Sequence, residues 1–250
     1  MRTFKLTLAY DGTDFAGWQS QANGRTVQDA LEATLLKITG ESFRVMASGR
    51  TDAGVHALGQ VVGFSTNCPL PAETMHRALN AELPRDVVVL SCEDAPDDFH
   101  AIRWAKRKRY RYAIQDGPWP DVFSRRYAWR MFPELDEATM RRAAQALVGT
   151  HDFASFQSAG SKRTSTIRTV HEIALERSRA GEGGANLLHI EVEADGFLYN
   201  MVRNIVGTLA LVGRGKQPET WPGEVLTARD RRAAGPTAPP QGLFLLRVEY

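Results

Sequence analysis

A chain of 250 residues, 43% hydrophobic and 24% charged, has the composition of an ordinary globular protein with room for one large domain or two smaller ones. Its net charge of +2 does not by itself mark a nucleic-acid binder, and two cysteines, Cys68 and Cys92, make neither a disulfide scaffold nor a zinc site. The longest apolar stretch, around Ile205–Val212, falls far short of the ~20 residues that span a bilayer, and Met1–Tyr10 lacks the apolar core of a signal peptide. The expectation is a soluble, cytoplasmic protein with no membrane partner.

In chain order, Phe4, Leu6, Leu8 and Tyr10 alternate with polar residues, which predicts a half-buried strand. A polar loop, Asp11–Arg25, leads to Thr26, which caps a helix with Val27, Leu31, Leu35 and Ile38 on one face, ended by Gly40. Strands follow at Phe43–Ala47 and His56–Ser65, then a helix at Ala72–Leu83 after Pro71, then a strand at Val87–Leu90. Lys108–Gln115 predicts a strand with Tyr110, Tyr112 and Ile114 on one face and Arg109 and Arg111 on the other. Asp136 caps a helix Glu137–Val148 closed by Gly149. Strands Thr166–Glu176 and Leu187–Glu193 flank a turn containing Gly181, Gly183 and Gly184. A helix Leu198–Val212, a loop Ala233–Pro240 covering the start of the last strand, and that strand, Leu243–Glu249, complete the chain.

The order β-α-β-β-α-β is thus run through twice, in 1–104 and in 105–250, without a visible sequence repeat. This pattern predicts an α+β fold of two ferredoxin-like halves, their antiparallel sheets joined, with an active-site cleft between them.

Charge is unevenly spread. Arg103 to Arg130 carries nine basic residues against Asp116 and Asp121, 9 − 2 = +7, and Glu82 to Asp98 carries one arginine against six acids, 1 − 6 = −5. A basic face for a polyanion follows. Between the second and third strands stands Ser48-Gly49-Arg50-Thr51-Asp52-Ala53-Gly54-Val55-His56. Gly49 and Gly54 permit a tight loop, in which Arg50 beside Asp52 lowers the carboxylate's pKa and holds it ionised. Taken alone this is an ordinary surface turn with an ion pair worth ~0–1 kcal/mol. Gly12–Gly17 lacks the spacing of a phosphate loop. His56, His100 and His151 show no metal-ligand spacing and are assigned structural roles.

Several segments together resemble the TruA family of tRNA pseudouridine synthases. They are Tyr10–Gln19, Arg25–Gln28, Ser48–His56, Phe99–Ala101, Lys108–Tyr112, His151–Phe156, Met201–Gly207 and Gly242–Tyr250. The resemblance covers essentially the whole chain in order, with a departure at Leu198-Tyr199-Asn200 that touches no catalytic position. It implies isomerisation of uridine to pseudouridine in the tRNA anticodon stem-loop, at positions 38, 39 and 40, without cofactor or metal, by a homodimer. It implies Asp52 as the catalytic aspartate, Tyr110 stacking on the target uracil, and Arg50 and Arg203 around Asp52.

The chemistry needs such groups. Breaking the glycosidic bond builds positive charge on the ribose, which an ionised carboxylate stabilises, and a single carboxylate suffices where the detached base is recaptured. Asp52 attacks C1′ or takes a proton from C2′; both remain open. The target uridine must leave its stack, and a flat side chain that holds it contributes ~1–3 kcal/mol. Arg203, on an apolar helix, needs a partner, and Asp52 is the candidate. Arg25, Lys106, Arg107, Lys108 and Arg109 form the candidate RNA-contacting set, the basic and aromatic residues of Lys106–Arg111 alternating along a strand. The rival classes are a non-catalytic tRNA-binding protein, which would not need Asp52, and a metal-dependent nuclease, which would need clustered acidic and histidine ligands that the sequence does not show.

Overall fold

The structure, a computed structural model, describes residues 1–42, 44–160, 165–179 and 186–250. It is a mixed α+β protein whose strand pairing is mostly antiparallel. The chain divides into two compact units, Met1–Lys106 with Phe244–Tyr250, and Arg107–Leu243. Among the described residues no helix is long and apolar enough to cross a membrane.

The first unit begins with β1 (Arg2–Tyr10), α1 (Val27–Thr39), β2 (Met46–Ala47), β3 (His56–Thr66), α2 (Ala72–Glu82) and β4 (Val87–Ala95). Its strands lie in the order β4-β1-β3-β2, every neighbour antiparallel. Alternation places Phe4, Leu6, Leu8 and Tyr10 inward, where they join Leu31 and Leu35 of α1 and Met75 and Leu79 of α2 in the buried core. Thr26 caps α1 by accepting from the Asp29 N–H, and Gly40 closes it in the left-handed conformation at φ 73°. A β-bulge between Leu8 and Tyr10 shifts the pairing of β1 with β3 at the end that feeds the Ser48–His56 loop. The returning residues Phe244 and Leu245 run parallel to His56 and Ala57.

The second unit contains β5 (Arg107–Gln115), β6 (Trp129–Arg130), α3 (Glu137–Ala144), β7 (Gly149–Asp152), β8 (Ile167–Arg179), β9 (Asn186–Ala194), α4 (Met201–Gly213) and α5 (Trp221–Ala228). Strands β5, β9, β8 and β7 lie in that order, antiparallel, and β6 pairs in parallel with β5. The last strand, β10 (Leu243–Glu249), starts at the unit's end. Helix α4 is buried at every position except Arg203 and Leu211, the mark of a helix enclosed on all sides. Gly207 lets the 234–240 loop press on it: a Cβ there would lie 1.7 Å from the Pro236 carbonyl oxygen. That loop was expected over the start of the last strand; it is seated on α4.

Other boundaries move for identifiable reasons. The strand expected over Phe43–Ala47 pairs only at Met46 and Ala47, because the Val45 N–H donates to Glu32 Oε1 of α1 at 2.9 Å. Phe43 and the turn at Gly181, Gly183 and Gly184 lie outside the described residues. The helix expected to reach Val148 ends at Ala144 and tightens into a 3-10 turn over Gln145–Leu147, since Gly149 already pairs with Val170. The helix expected from Leu198 starts at Met201 because Asn200 is left-handed at φ 60°. Strands β6 and β7 and helix α5 are too short to announce themselves by periodicity.

One buried ion pair stitches the second unit. Asp116, fully buried, accepts from Arg177 Nη1 and Nη2 at 2.6 and 3.0 Å and from the Leu135 N–H at 2.9 Å. The Asp116 bond, the largest influence, raises the Arg177 pKa. Asp116→Ala leaves the guanidinium without this carboxylate and is expected to cost about 3–5 kcal/mol, read as a lowered urea midpoint.

Candidate active site

The loop between β2 and β3 is built from two layers of contact, both within the first unit. Ser48 keeps the ladder by donating its N–H to the Val61 carbonyl at 2.8 Å and its hydroxyl to Gln60 Oε1 at 2.7 Å. Gln60 Nε2 turns back to the Gly49 carbonyl at 2.8 Å. The Tyr10 hydroxyl, delivered by the bulged end of β1, meets Thr51 Oγ1 at 2.7 Å. Burial raises the Tyr10 pKa to about 12, against the pull of its bonds to Thr51 and Gln60, so it is a neutral hydroxyl at physiological pH.

The second layer is the opening loop, 11–25. Trp18 N–H donates to the Thr51 carbonyl at 3.0 Å and Gly54 N–H to the Phe15 carbonyl at 3.3 Å, and within the loop Val55 N–H donates to the Asp52 carbonyl at 3.1 Å. Backbone meets backbone here, and only glycine allows it. A Cβ on Gly12 would lie 2.0 Å from the Val55 carbonyl oxygen, and one on Gly17 (φ 101°) 2.9 Å from that of Thr51. Gly54 takes the left-handed conformation at φ 75° that closes the turn. The peptide groups on both sides of Asp52 are therefore held, one from outside by Trp18 and one from within the loop by Val55, while its side chain stays partly exposed. Arg50 is exposed two positions earlier.

His56 closes the loop in the core, 1% exposed. Its Nδ1 receives the Gly12 N–H at 3.0 Å and also stands 3.1 Å from Asp11 Oδ1. Both cannot be satisfied by one protonation state. Asp11 Oδ1 already accepts from the Thr13 N–H and hydroxyl at 3.0 and 2.6 Å, so the neutral ring, accepting at Nδ1, fits best. Its ring stacks on Phe244 at 4.6 Å. His100 accepts from two backbone N–H groups at 3.3 Å, and His151 Nε2 bonds the Val148 carbonyl at 2.9 Å. All three histidines are engaged structurally, and among the described residues no group of three or more His, Cys, Asp or Glu is disposed to hold a metal ion.

Arg25 lies in the same unit, its guanidinium 4.1 Å over the Phe15 ring and bidentate to Asp86 at 2.5 and 2.8 Å. Lys106, which ends the first stretch of this unit, is exposed.

In the second unit, Tyr110 and Tyr112 share one face of β5 but differ. Tyr112 is fully buried, donates its hydroxyl to the Pro239 carbonyl at 2.7 Å, and has its pKa pushed up by burial. Tyr110 keeps 8% exposure and meets Phe197 edge to face at 5.0 Å. Arg203, one of the two incompletely buried positions of α4, donates Nε to the Ala238 carbonyl at 2.7 Å and Nη1 to Asn200 Oδ1 at 2.9 Å.

The other face of β5 holds Arg107, Arg109 and Arg111, and the register sets acids beside them: Glu193 opposite Arg109, Glu191 opposite Arg111, and Glu172 opposite Glu193 on β8. Arg109 bonds Glu193 at 2.9 Å, Glu191 at 3.0 Å and Glu172. Arg111 bonds Glu191 at 2.6 and 2.8 Å, and Arg107 reaches Glu193 at 3.4 Å. Three arginines against three glutamates give 3 − 3 = 0, so three of the nine basic residues from Arg103 to Arg130 are balanced inside the sheet. Burial pulls the Arg109 pKa down, but its three glutamates outweigh that and raise it. Burial likewise pushes Glu191 up, and Arg111 and Arg109 outweigh it, holding the carboxyl below its ordinary 4.5.

Comparison with known proteins places this geometry. A family model described as tRNA pseudouridine synthase matches residues 7–102 and 143–250, a span that includes the Ser48–His56 loop, its bracing loop and α4. The chain belongs to the tRNA pseudouridine synthase family, isomerases that convert uridine in tRNA to pseudouridine. It is 46% identical over 250 residues, covering all of both chains, to tRNA pseudouridine synthase A of Thermoanaerobacter sp. (strain X514). It is 48% identical over 253 residues, again covering all of both, to the protein of that name from Moorella thermoacetica. The corresponding protein of Halalkalibacterium halodurans is 48% identical over 245 residues, 98% of this chain and 91% of that one.

Sequence reasoning missed the bracing residues. Gly12, Gly17, Thr51 and Gln60 carry no chemistry of their own; the two glycines were signalled only by the clustering of glycines and aromatics in 10–19, and Thr51 and Gln60 by nothing.

Two outcomes follow from the Arg109 cluster. Arg109→Met is expected to lower stability by about 1–3 kcal/mol while leaving the salt dependence of tRNA binding unchanged; a log–log slope smaller by about 0.9 would instead make Arg109 a phosphate contact. Because Glu191 has a depressed folded pKa, its contribution is full above about 4.5 and is lost as pH falls through the lower folded value. Acid titration of unfolding should show that loss in the native protein and a smaller one in Arg109→Met.

Proposed function

We propose that Asp52 is the catalytic carboxylate of uridine isomerisation in the tRNA anticodon stem-loop, at positions 38, 39 and 40. The observation that carries this reading is the bracing of Asp52: its peptide groups are fixed by Trp18 and Val55 N–H donors and by the glycine contacts, while its side chain stays partly open. A carboxylate that must meet a developing charge gains from a backbone that does not reorganise. The C1′–N1 bond breaks, charge builds on the ribose, the uracil turns, and C1′ bonds to C5, with the C5 proton lost and N1 gaining one. Direct attack by Asp52 on C1′ and proton removal from C2′ both use this carboxylate.

In the same reading Tyr110 stacks on the flipped uracil, which its remaining exposure supports, whereas the hydroxyl and ring of Tyr112 are committed to the core. Arg50 and Arg203 act with Asp52. The tRNA phosphates meet Arg25, Lys106, Arg107 and Lys108, and Arg109 stands behind them holding β5 to its neighbours. The chain is read as two ferredoxin-like halves: the order β4-β1-β3-β2 supports the first, and β5, α3, β8, β9, α4 and β10, with β6, β7 and α5 as additions, supports the second. The enzyme works in the cytoplasm as a homodimer; Trp119, Val122 and Phe123, from 58% to 87% exposed, are apolar residues within five positions suited to a second copy.

Asp52→Asn is expected to abolish pseudouridine formation while tRNA still binds. Unchanged turnover would remove the assignment, and loss of binding together with turnover would favour a purely RNA-binding role. Per folded enzyme, Tyr110→Ala should lose far more activity than Tyr112→Ala, which should mainly unfold the protein by about 3–5 kcal/mol. Equal activity losses would show that the wrong tyrosine has been chosen.

A further inference from the structure

We infer that Asn200 is a positioning residue that aims the Arg203 guanidinium; the inference rests on the role given to Arg203 above. Asn200 occupies the N-cap of α4, where an asparagine ordinarily adopts extended backbone and accepts an N–H from the first turn. Here its backbone is left-handed (φ 60°, ψ 9°) and its side chain makes no capping bond. The amide is used elsewhere. Oδ1 accepts from Arg203 Nη1 at 2.9 Å, three positions on, and Nδ2 donates to Ser158 Oγ at 3.1 Å. The Ser158 bond fixes which end of the amide faces the arginine. Ser158 is itself held, its N–H on the Tyr199 carbonyl at 3.1 Å and its hydroxyl receiving Asn204 Nδ2 at 3.3 Å.

The second acceptor is equally fixed. Arg203 Nε donates to the Ala238 carbonyl at 2.7 Å, and the Ala238 N–H returns to the Arg203 carbonyl at 3.1 Å. The loop carrying Ala238 is clamped to α4 by Arg231, whose Nη2 reaches Asn204 Oδ1 and Thr237 Oγ1, each at 3.0 Å. Thr237 Oγ1 donates to Asn204 Oδ1 at 2.6 Å, and Gly235 N–H to Thr208 Oγ1 at 3.0 Å. Each of these two acceptors is fixed by bonds of its own, so together they set the direction of the guanidinium. An arginine aimed in this way brings its charge to a reacting centre at a set angle.

The test is Asn200→Gly, since glycine takes φ 60° without strain and only the amide is removed. Under single turnover with saturating tRNA, its rate should fall at least about tenfold, with tRNA affinity and thermal midpoint unchanged. Asn200→Asp keeps an acceptor that the Ser158 hydroxyl can still bond, and should restore most of the rate. A wild-type rate in Asn200→Gly alongside an inactive Arg203→Ala overturns the inference and leaves the Arg203 reading intact. A rate loss matched by loss of folded protein and not restored by Asn200→Asp also overturns it. Wild-type turnover in Arg203→Ala would instead remove the reading on which it stands.

Discussion

The contact on which the proposed chemistry of the first unit depends is backbone against backbone, where the opening loop meets residues 51–55. Two glycines make it possible, and a single Cβ at Gly12 would overlap the Val55 carbonyl oxygen. A carboxylate on an unbraced loop would sample many positions, and holding it would consume conformational entropy of about 1–2 kcal/mol per residue during the reaction. Here that ordering is completed on folding. The bulge in β1, the Tyr10–Thr51 bond and the Gln60 bridge all brace the loop that carries Asp52.

The second unit solves a different problem, which is how to place cations in a folded chain without letting them repel. Arg109 and Arg177 are paired with carboxylates, and they fasten strands and loops. Arg203 has further fixed contacts. It emerges from a helix enclosed on nearly every side and takes its direction from an amide and a carbonyl.

Much of this was legible in the sequence where periodicity is long and caps are explicit. Thr26 and Gly40 bound α1, Asp136 starts α3, and alternation in 4–10 and 108–115 marks strands. The segment order also led to the family. What stayed hidden depends on register and on contacts distant in the chain. The positive run at 103–130 suggested an open basic face, yet Glu172, Glu191 and Glu193 arrive from strands far along the sequence and balance three of its arginines, Arg107, Arg109 and Arg111. Short elements such as β6 and β7 offer no period to read. Asn200 looked like a minor departure in a motif; only its left-handed backbone and its bonds give it a part.

The central claim is that a carboxylate at position 52, held in place by the surrounding loop, supplies the charge that the isomerisation needs. The most direct measurement is pseudouridine formation by Asp52→Ala under single turnover with saturating tRNA, with and without added formate. The account predicts no product in its absence and measurable product when formate supplies a carboxylate in the space left by the side chain. Product at the wild-type rate without formate would contradict it.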